Sequence, residues 1–388
     1  MFAEIVVDIA HSAVDKRFTY RIPEGLPVSV GHHVLAPFGL GDHLKEGFVV
    51  AVKESADYPE IKDIAKIIEP YPVLLPEQIR LAEWMQEAYH CLFVDALRLM
   101  IPAKLRGMRV KEKRVRTVRL ADELDLEAAI RELERAPKQR QVLELVAKIN
   151  AQASIPDINA FYPNSTPSIH ALIKRGFLVE QDETVFRRPK SMKLRAPLHT
   201  LTESQKAAAQ AIDEAMQAQN GSVLLLHGVT GSGKTEVYLK AIEDCLSAGG
   251  QAIVLVPEIS LTPQTVGRFT DRFGDRIAVL HSKLTPAQKS VEYAKIRDGR
   301  VSLVIGARSA VFAPFDQLGL IVIDEEHERS YNSEQVPRYH AREVAYFRAG
   351  HEGAKVIAGS ATPSLESYRE AMDGRMRLLK LTKRPGLA

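Results

Sequence analysis

Three patterns of apolar spacing succeed one another along the chain. From Met1 to about Ala103 the apolar residues come in short runs (EIVVDIA, RFTYRIP, HHVLAPFG, GFVVAVKE, IAKIIEP) broken by Gly and Pro, which predicts a small β-rich domain over 1–103. A helix over Pro76–Tyr89 closes it, with Pro in the first turn, where its missing N–H costs nothing. From about Leu126 to Pro189 the spacing turns helical. A Glu- and Arg-rich helix, a second over Lys138–Asn150 and a third over Ser165–Arg175 are expected; Ile169, Leu172 and Ile173 share a face of the third before Gly176 stops it. Phe177–Val179 and Thr184–Phe186 then read as a strand pair, giving over 126–190 the outline of a winged helix-turn-helix. From Leu201 onward, continuous apolar runs at Val223–Leu226, Ala252–Val256, Ile277–Leu280, Val301–Ile305, Leu320–Ile323 and Lys355–Ala358 alternate with amphipathic helices. That alternation predicts a parallel sheet covered on both faces over 200–388, with ligands at the carboxyl ends of its strands.

Composition changes this picture little. The chain of 388 residues is 45% hydrophobic and 26% charged, long enough for several cores. No stretch approaches the roughly 20 apolar residues that span a bilayer, and the N-terminus lacks the basic start and apolar run of a signal peptide, so no membrane association and a cytoplasmic location are expected. Cys91 and Cys245, the two cysteines, have no His or Cys at ligand spacing, which offers neither a disulfide framework nor a zinc site; Cys245 sits at an apolar helical position and reads as core. The net charge of +3 is unevenly spread: Lys104–Arg119 holds eight Lys or Arg and one Glu. This run reads as a basic linker over 104–125, either a solvated connection or a strap for phosphates.

The chemistry lies in the third region. Gly228, Val229, Thr230, Gly231, Ser232, Gly233, Lys234 and Thr235 follow a predicted strand and open a helix, the setting that a phosphate-binding loop requires. Its glycines let backbone N–H groups close on phosphates, Lys234 reaches the terminal phosphates and Thr235 holds Mg²⁺, so ATP with Mg²⁺ is the expected ligand. Asp324-Glu325-Glu326-His327 ends another apolar strand; Asp324 is assigned to the metal and Glu325 to the attacking water. Gln205 stands ahead of the phosphate loop, where its amide suits either the edge of adenine or, with Thr202, a capping box. VPEISLT and Gly306-Ala307-Arg308-Ser309-Ala310 each follow a strand directly, where free N–H groups, hydroxyls and Arg308 suit a nucleic-acid backbone. GSATPS, with Ser360 and Thr362, ends the last strand beside the acidic turn and is placed to report the state of the terminal phosphate.

This constellation resembles the first motor lobe of superfamily 2 helicases, a RecA-like α/β fold. The spellings GVTGSGKT, VPEISLT, GARSA, DEEH and GSATPS narrow the likeness to the primosomal replication-restart helicases. So does YNSEQVPRYHAREVAYF from Tyr331, which is similar to the aromatic-rich loop that couples DNA binding to hydrolysis in that family. The resemblance implies coupling roles for His327, Ser360, Thr362, Tyr331, Arg338, Tyr339, His340 and Arg342; from the residues alone, an Arg- and Tyr-bearing amphipathic helix packed on the lobe fits as well. The opening DKRFTYRIPEGLPVSVGHHVLAPFG resembles the family's domain that captures the 3′ end of a nascent strand, and implies a pocket of Phe18, Thr19, Gly39 and Lys62. Some members carry Asp at the position of Thr19, and Phe18 and Tyr20 also suit the core face of a strand.

The resemblance further implies branched and single-stranded DNA, single-strand-binding protein and primosome components as partners. It implies 3′ to 5′ movement, a monomeric motor and a place at the bacterial nucleoid. The family continues into a zinc-binding insertion and a second motor lobe, for which this sequence has no counterpart. The chain is accordingly expected to be a fragment that binds Mg-ATP and branched DNA, hydrolyses ATP weakly and does not unwind. Two other readings stay open on the residues: a translocase or RNA helicase sharing only the lobe, and a non-enzymatic fork-binding adaptor for which ATP is a conformational ligand.

Overall fold

The computed structural model of the chain describes residues 1–56, 60–102, 115–121, 124–134, 136–149, 153–155, 158–159, 162, 164–183, 201–218 and 221–382. It divides into two compact units, Met1–Arg109 with Ser191–Ala388, and Val110–Lys190.

The first unit begins with β1 (Phe2–Val7), β2 (Arg17–Arg21), β3 (His33–Phe38), β4 (His43–Lys53) and β5 (Lys66–Ile67), an antiparallel sheet in the order β2-β1-β4-β3-β5. Alternation along these strands buries Ala3, Ile5, Tyr20, Val34, Ala36 and Val49 in a small core of their own, with Phe18 packed at its edge. Two helices follow, α1 (Pro76–Tyr89) and α2 (Phe93–Met100). The sequence places the ends of α1 correctly because Pro76 fixes its start and His90, at φ 48°, turns the chain out of it.

The second unit holds β6 (Val115–Leu120), α3 (Leu126–Glu132), α4 (Pro137–Ile149), β7 (Ala153–Ser154), α5 (Thr166–Lys174) and β8 (Leu178–Glu183). Val118, Val142, Leu143, Val146, Ile169, Leu172 and Leu178 share its core. Two expectations are corrected here. The strand after α5 pairs antiparallel with β6, Leu178 opposite Leu120 and Glu183 opposite Val115, whereas a hairpin with Thr184–Phe186 had been expected; those residues lie outside the described ones. The basic run is therefore not all linker: Val115 to Leu120 is the central strand of this unit, because Val115, Thr117 and Val118 supply β-forming positions among the cations, while 104–114 lie outside the described residues.

The rest of the first unit is the α/β lobe. It runs α6 (Glu203–Gln217), β9 (Ser222–Gly228), α7 (Lys234–Ser247), β10 (Gln251–Leu255), α8 (Pro263–Phe273), β11 (Ile277–Leu280), α9 (Pro286–Arg297), β12 (Leu303–Gly306), β13 (Leu318–Asp324), α10 (Ala341–Glu352), β14 (Lys355–Ser360), α11 (Leu365–Met372) and β15 (Arg377–Leu381). Its seven strands are parallel, in the order β11-β12-β10-β13-β14-β9-β15. The apolar runs read from sequence are six of these strands. The seventh, β15, escapes the pattern because RLLKL is short and lies at an edge, where charge is tolerated. Cys245 is buried in the core, as its helical position suggested.

Helices α1 and α2 of the first region lie on the lobe and share one core with it. Leu81, Met85, Leu97 and Met100 join Ile253, Val311, Phe315 and Ile321, Trp84 stacks on Phe347 at 4.4 Å, and Arg297 lies 3.5 Å from the Tyr71 ring. Polar groups sealed in this seam are paired: the Tyr293 hydroxyl donates to the Val73 carbonyl at 2.5 Å. Gln78, 2% exposed, accepts from the Leu75 N–H at 3.0 Å through Oε1 and donates from Nε2 to the Phe312 carbonyl at 3.1 Å. An amide this buried tolerates no idle end, so it ties the start of α1 to the lobe.

Because Leu97 is fully buried in the shared core, Leu97→Ala is expected to cost about 2–5 kcal/mol. Hydrogen exchange should show protection lost in β10 and β13 as well as in residues 1–102; loss confined to the N-terminal residues would show two independent cores.

Candidate nucleotide and nucleic-acid site

Parallel register sets the site. Asp324 ends β13 opposite Gly359 of β14, and Ser360 lies opposite His227 of β9, so the phosphate loop, the acidic turn and the GSATPS turn leave one edge of the sheet side by side. The loop Val229–Gly233 turns into α7 through Gly231 and Gly233, at φ 81° and 82°, angles that only glycine adopts freely. The loop thus ends at the N-terminus of α7, whose first turn offers backbone N–H groups to an anion. Lys234, 8% exposed, lays its ammonium on the Gly228 carbonyl at 3.0 Å and 3.4 Å from Glu325 Oε1.

Gln205 is placed beneath this loop. Its Oε1 accepts from the Thr202 N–H at 2.8 Å, completing a capping box on α6, while Nε2 donates to the Ser232 carbonyl at 2.9 Å. With 3% exposure, the side chain spends both ends of its amide on the cap and the loop, in the manner of Gln78. In this arrangement it shapes the loop from below: of the two uses weighed from sequence, the capping box is formed, while the amide end that could face adenine is bonded to the Ser232 carbonyl.

The four residues of the acidic turn point to four different partners. Asp324 Oδ1 accepts from the Tyr238 hydroxyl at 3.2 Å. Burial, and then the neighbouring Glu325 charge, hold its carboxyl above the ordinary aspartate range. Gly359 makes room for that contact: a Cβ there would stand 1.6 Å from the Tyr238 hydroxyl oxygen. Glu325 has φ 47°, a left-handed backbone that costs a non-glycine residue about 1–3 kcal/mol and that persists only where its surroundings fix it. Its carboxylate faces Lys234 and accepts from the Ala361 N–H at 3.4 Å. Glu326 turns the opposite way and is fully buried. His327 Nδ1 meets Ser360 Oγ at 2.7 Å and its Nε2 lies 3.4 Å from Thr362 Oγ1, which places His327 beside the two hydroxyls expected from sequence to report the terminal phosphate.

These groups fit a magnesium nucleotide. A half-buried carboxylate kept costly to ionise, beside a second carboxylate, is a setting that a cation relieves. Among the described residues no group of three His, Cys, Asp or Glu could hold a metal alone.

The residues after the acidic turn form a closed loop. Ser333 N–H donates to the Tyr339 carbonyl at 2.8 Å and Asn332 bridges to His340. Tyr331 and Tyr339 face inward, 0% and 3% exposed. The Tyr331 hydroxyl donates to the carbonyls of Asp324 at 2.6 Å and Leu255 at 3.0 Å, and Tyr339 packs edge-on against Phe312 at 5.0 Å. Arg308 closes over the loop, donating to the carbonyls of Ser330 and Asn332, with its guanidinium 5.8 Å from the Tyr339 ring. Arg338, beside the closing pair of the loop, is exposed. His340 caps α10, its Nδ1 accepting from the Arg342 N–H at 3.1 Å. Burial, and then the adjacent Arg342 charge, push its imidazole below the ordinary range, consistent with a neutral acceptor. The sequence placed all these residues in one loop; it did not show that the tyrosines and Arg308 brace it from within.

At the far end of the N-terminal sheet, Lys62 donates to the Gly39 carbonyl at 2.9 Å and pairs with Asp42 at 2.5 Å, while Phe18 meets Phe38 edge-on at 5.1 Å. Phe18, Gly39 and Lys62 thus gather around the β3–β4 turn, whose Leu40 is fully exposed. Thr19, opposite Glu4 in the ladder, alternates to the face away from Phe18 and Tyr20.

Residues 4–102 match the family described as 3′DNA-binding domain (3′BD) of PriA, and residues 202–371 match the DEAD/DEAH box helicases. The chain is 38% identical to the replication restart protein PriA of Bacillus subtilis over 99% of its own length and 56% of that protein's. It is 35% identical to the protein of the same name from Haemophilus influenzae, over 95% of its own length and 50% of that protein's. It thus spans about half the length of these curated relatives. Among solved structures, RecG bound to a three-way DNA junction aligns with 49% of this chain and 25% of that chain at 28% identity and a TM-score of 0.37. No helix among the described residues is long and apolar enough to cross a membrane.

Because Asp324 is held above its ordinary pKa, the cost of ionising it is absent in acid and is present in full once pH exceeds the folded-state value. Asp324→Asn should therefore raise the thermal midpoint at neutral pH without Mg²⁺, by about 2 °C or more, and lose the further rise that Mg²⁺ with an ATP analogue gives the unaltered chain. A lower midpoint would show that the carboxylate is stabilised where it stands.

Proposed function

We propose that this chain, kin to the replication restart proteins over almost its whole length, is the fork-binding front and first motor lobe of an ATP-dependent DNA helicase that restarts replication at branched DNA. One observation carries the reading: a phosphate loop, an acidic turn and a phosphate-sensing turn share one sheet edge in a lobe that has a common core with a module matching a 3′ DNA-binding domain. The loop from Gly228 to Thr235 takes the phosphates of ATP, with Lys234 on the terminal ones. Mg²⁺, held by Thr235 and Asp324, would supply neutralisation of the charge that develops on those phosphates. Glu325 orients and deprotonates the attacking water, and His327 relays the state of the terminal phosphate to Ser360 and Thr362.

DNA reaches the motor through the exposed Arg338 of the aromatic-rich loop. Arg308, Tyr331, Tyr339, His340 and Arg342 hold that loop against the acidic turn. A nascent-strand 3′ end lies against Phe18, Gly39 and Lys62, with Thr19 a weaker contributor from the neighbouring face. The second unit is read as a winged helix. The same reading brings single-strand-binding protein and primosome components as partners, 3′ to 5′ movement, a bacterial cytoplasmic setting, and zinc only in the portion of the relatives beyond this chain's match.

Two forks that differ only in a free or phosphorylated 3′ end at the junction test the DNA end of this reading by anisotropy. The free hydroxyl should bind tighter, and Lys62→Ala should remove about tenfold of that preference, the loss of one hydrogen bond from a charged group. Equal affinity for both forks rejects the 3′-end pocket. For the nucleotide end, Lys234→Ala should abolish the stabilisation by a Mg²⁺–ATP analogue, about 2.7 kcal/mol at 100 times its Kd in the unaltered chain.

A further inference from the structure

The third residue of the acidic turn has no role in the reading above, yet it is the best-held side chain in the site. Glu326 is a carboxylate without solvent access. Oε1 accepts from the Ser364 N–H at 2.7 Å; Oε2 accepts from Arg342 Nη1 at 2.9 Å, Ser367 Oγ at 2.9 Å and Ser364 Oγ at 3.1 Å. Arg342 Nη1 reaches the same two serine hydroxyls, at 2.8 and 3.0 Å. These four residues come from three places: the acidic turn, the first turn of α10 directly after the aromatic-rich loop, and the start of α11 directly after the GSATPS turn. A buried carboxylate could be replaced by an apolar residue without loss of packing, so a charged one at this junction is more than filler. Its neighbour Glu325 is the one residue of the turn with a left-handed backbone. The turn is held in that form by Glu326 N–H donating to the Gly359 carbonyl at 3.0 Å and by Glu328 N–H donating to the Glu325 carbonyl at 2.9 Å.

We propose that Glu326 is the positioning residue of this ATPase: through Arg342 and Ser364 it locks Glu325 in its strained conformation, so that movement of the aromatic-rich loop is transmitted to the water-orienting carboxylate. The inference rests on the motor reading above. Displacing the loop tilts the first turn of α10 and draws Arg342 from Glu326. The turn then loses its anchor, and Glu325 relaxes toward negative φ, away from Lys234. By the same linkage, nucleotide that fixes Glu325 stiffens the loop for DNA. The coupling is reciprocal, so it is measurable without turnover.

The test is anisotropy of this chain on a branched DNA, with and without a saturating non-hydrolysable ATP analogue and Mg²⁺. In the unaltered chain the analogue should change DNA affinity by about fivefold or more, the usual scale for coupled sites. Glu326→Gln keeps the shape and removes the charge; the change should shrink to within about twofold, while DNA and nucleotide each still bind alone. Arg342→Gln should do the same, and the double variant should be no worse than either single one. Full coupling in a folded Glu326→Gln chain, or additive losses, would overturn the inference while leaving the motor reading intact. Ser367→Ala, which removes one bond from each partner and keeps the ion pair, serves if Glu326→Gln fails to fold: reduced coupling supports the inference and unchanged coupling overturns it. A DNA affinity indifferent to the analogue in the unaltered chain would reject the motor reading itself, and this inference with it.

Discussion

The register of β14 between β13 and β9 is the constraint from which the site follows. Gly359 must stand opposite Asp324 on one side and Leu226 on the other, because only there does the missing side chain let the Tyr238 hydroxyl reach Asp324. In a sheet covered on both faces a slip of one residue would exchange the side chains of the two faces, and Gly359 would no longer stand over Tyr238. Close packing of Val322, Ile323, Val356, Ile357, Leu224 and Leu225, all buried, holds the register here. The chemistry therefore borrows its precision from hydrophobic packing several residues away. The site can in turn carry a strained backbone and costly carboxylates without losing its shape.

A second consequence of close packing is the treatment of glutamine. Gln78 and Gln205 occupy the same helical position, three residues beyond the N-cap, and each uses its oxygen locally and its nitrogen at long range. A glutamine bonded back to the N-cap N–H is a local device; the spare amide nitrogen turns it into a tertiary link, from the capping box of α6 to the phosphate loop and from the start of α1 across the seam to the lobe. Neither helix can fray without releasing a buried carbonyl, so local helix stability and domain cohesion become one quantity.

Much of this was legible in the sequence where chemistry and chain order coincide. The phosphate loop, the acidic turn and the GSATPS turn each follow an apolar run, and parallel strands carry such turns to a common edge. Helix α1 was legible because proline marks its start. What escaped depends on partners distant in sequence. Two consecutive glutamates look alike until the φ of the first sends them in opposite directions. Tyr331 and Tyr339 read as members of a coupling loop or of a helix packed on the lobe, and only their partners Leu255, Asp324 and Phe312 show them turned inward. The membership of Val115–Leu120 in the second unit was hidden by the cations around it, since a lone edge of positive charge carries no record of the strand it will pair with. The fusion of the N-terminal helices with the lobe was hidden for a related reason: an apolar helix face announces that it will be covered, but not by what.

That fused seam also gives the molecule an internal gauge. The chain contains a single tryptophan, and Trp84 lies in the seam itself, stacked on Phe347 and edge-on to Tyr89, whose hydroxyl is bonded to Glu343 at 2.7 Å. Phe347 and Glu343 belong to α10, the helix that carries Arg342. The indole emission of this 388-residue chain thus originates at the junction where the N-terminal helices touch the helix whose Arg342 is bonded to the acidic turn. A shift of α10 by a fraction of a ring width changes the environment of that lone chromophore and of no other, so this sequence arrives already labelled, with one optical reporter at its principal joint.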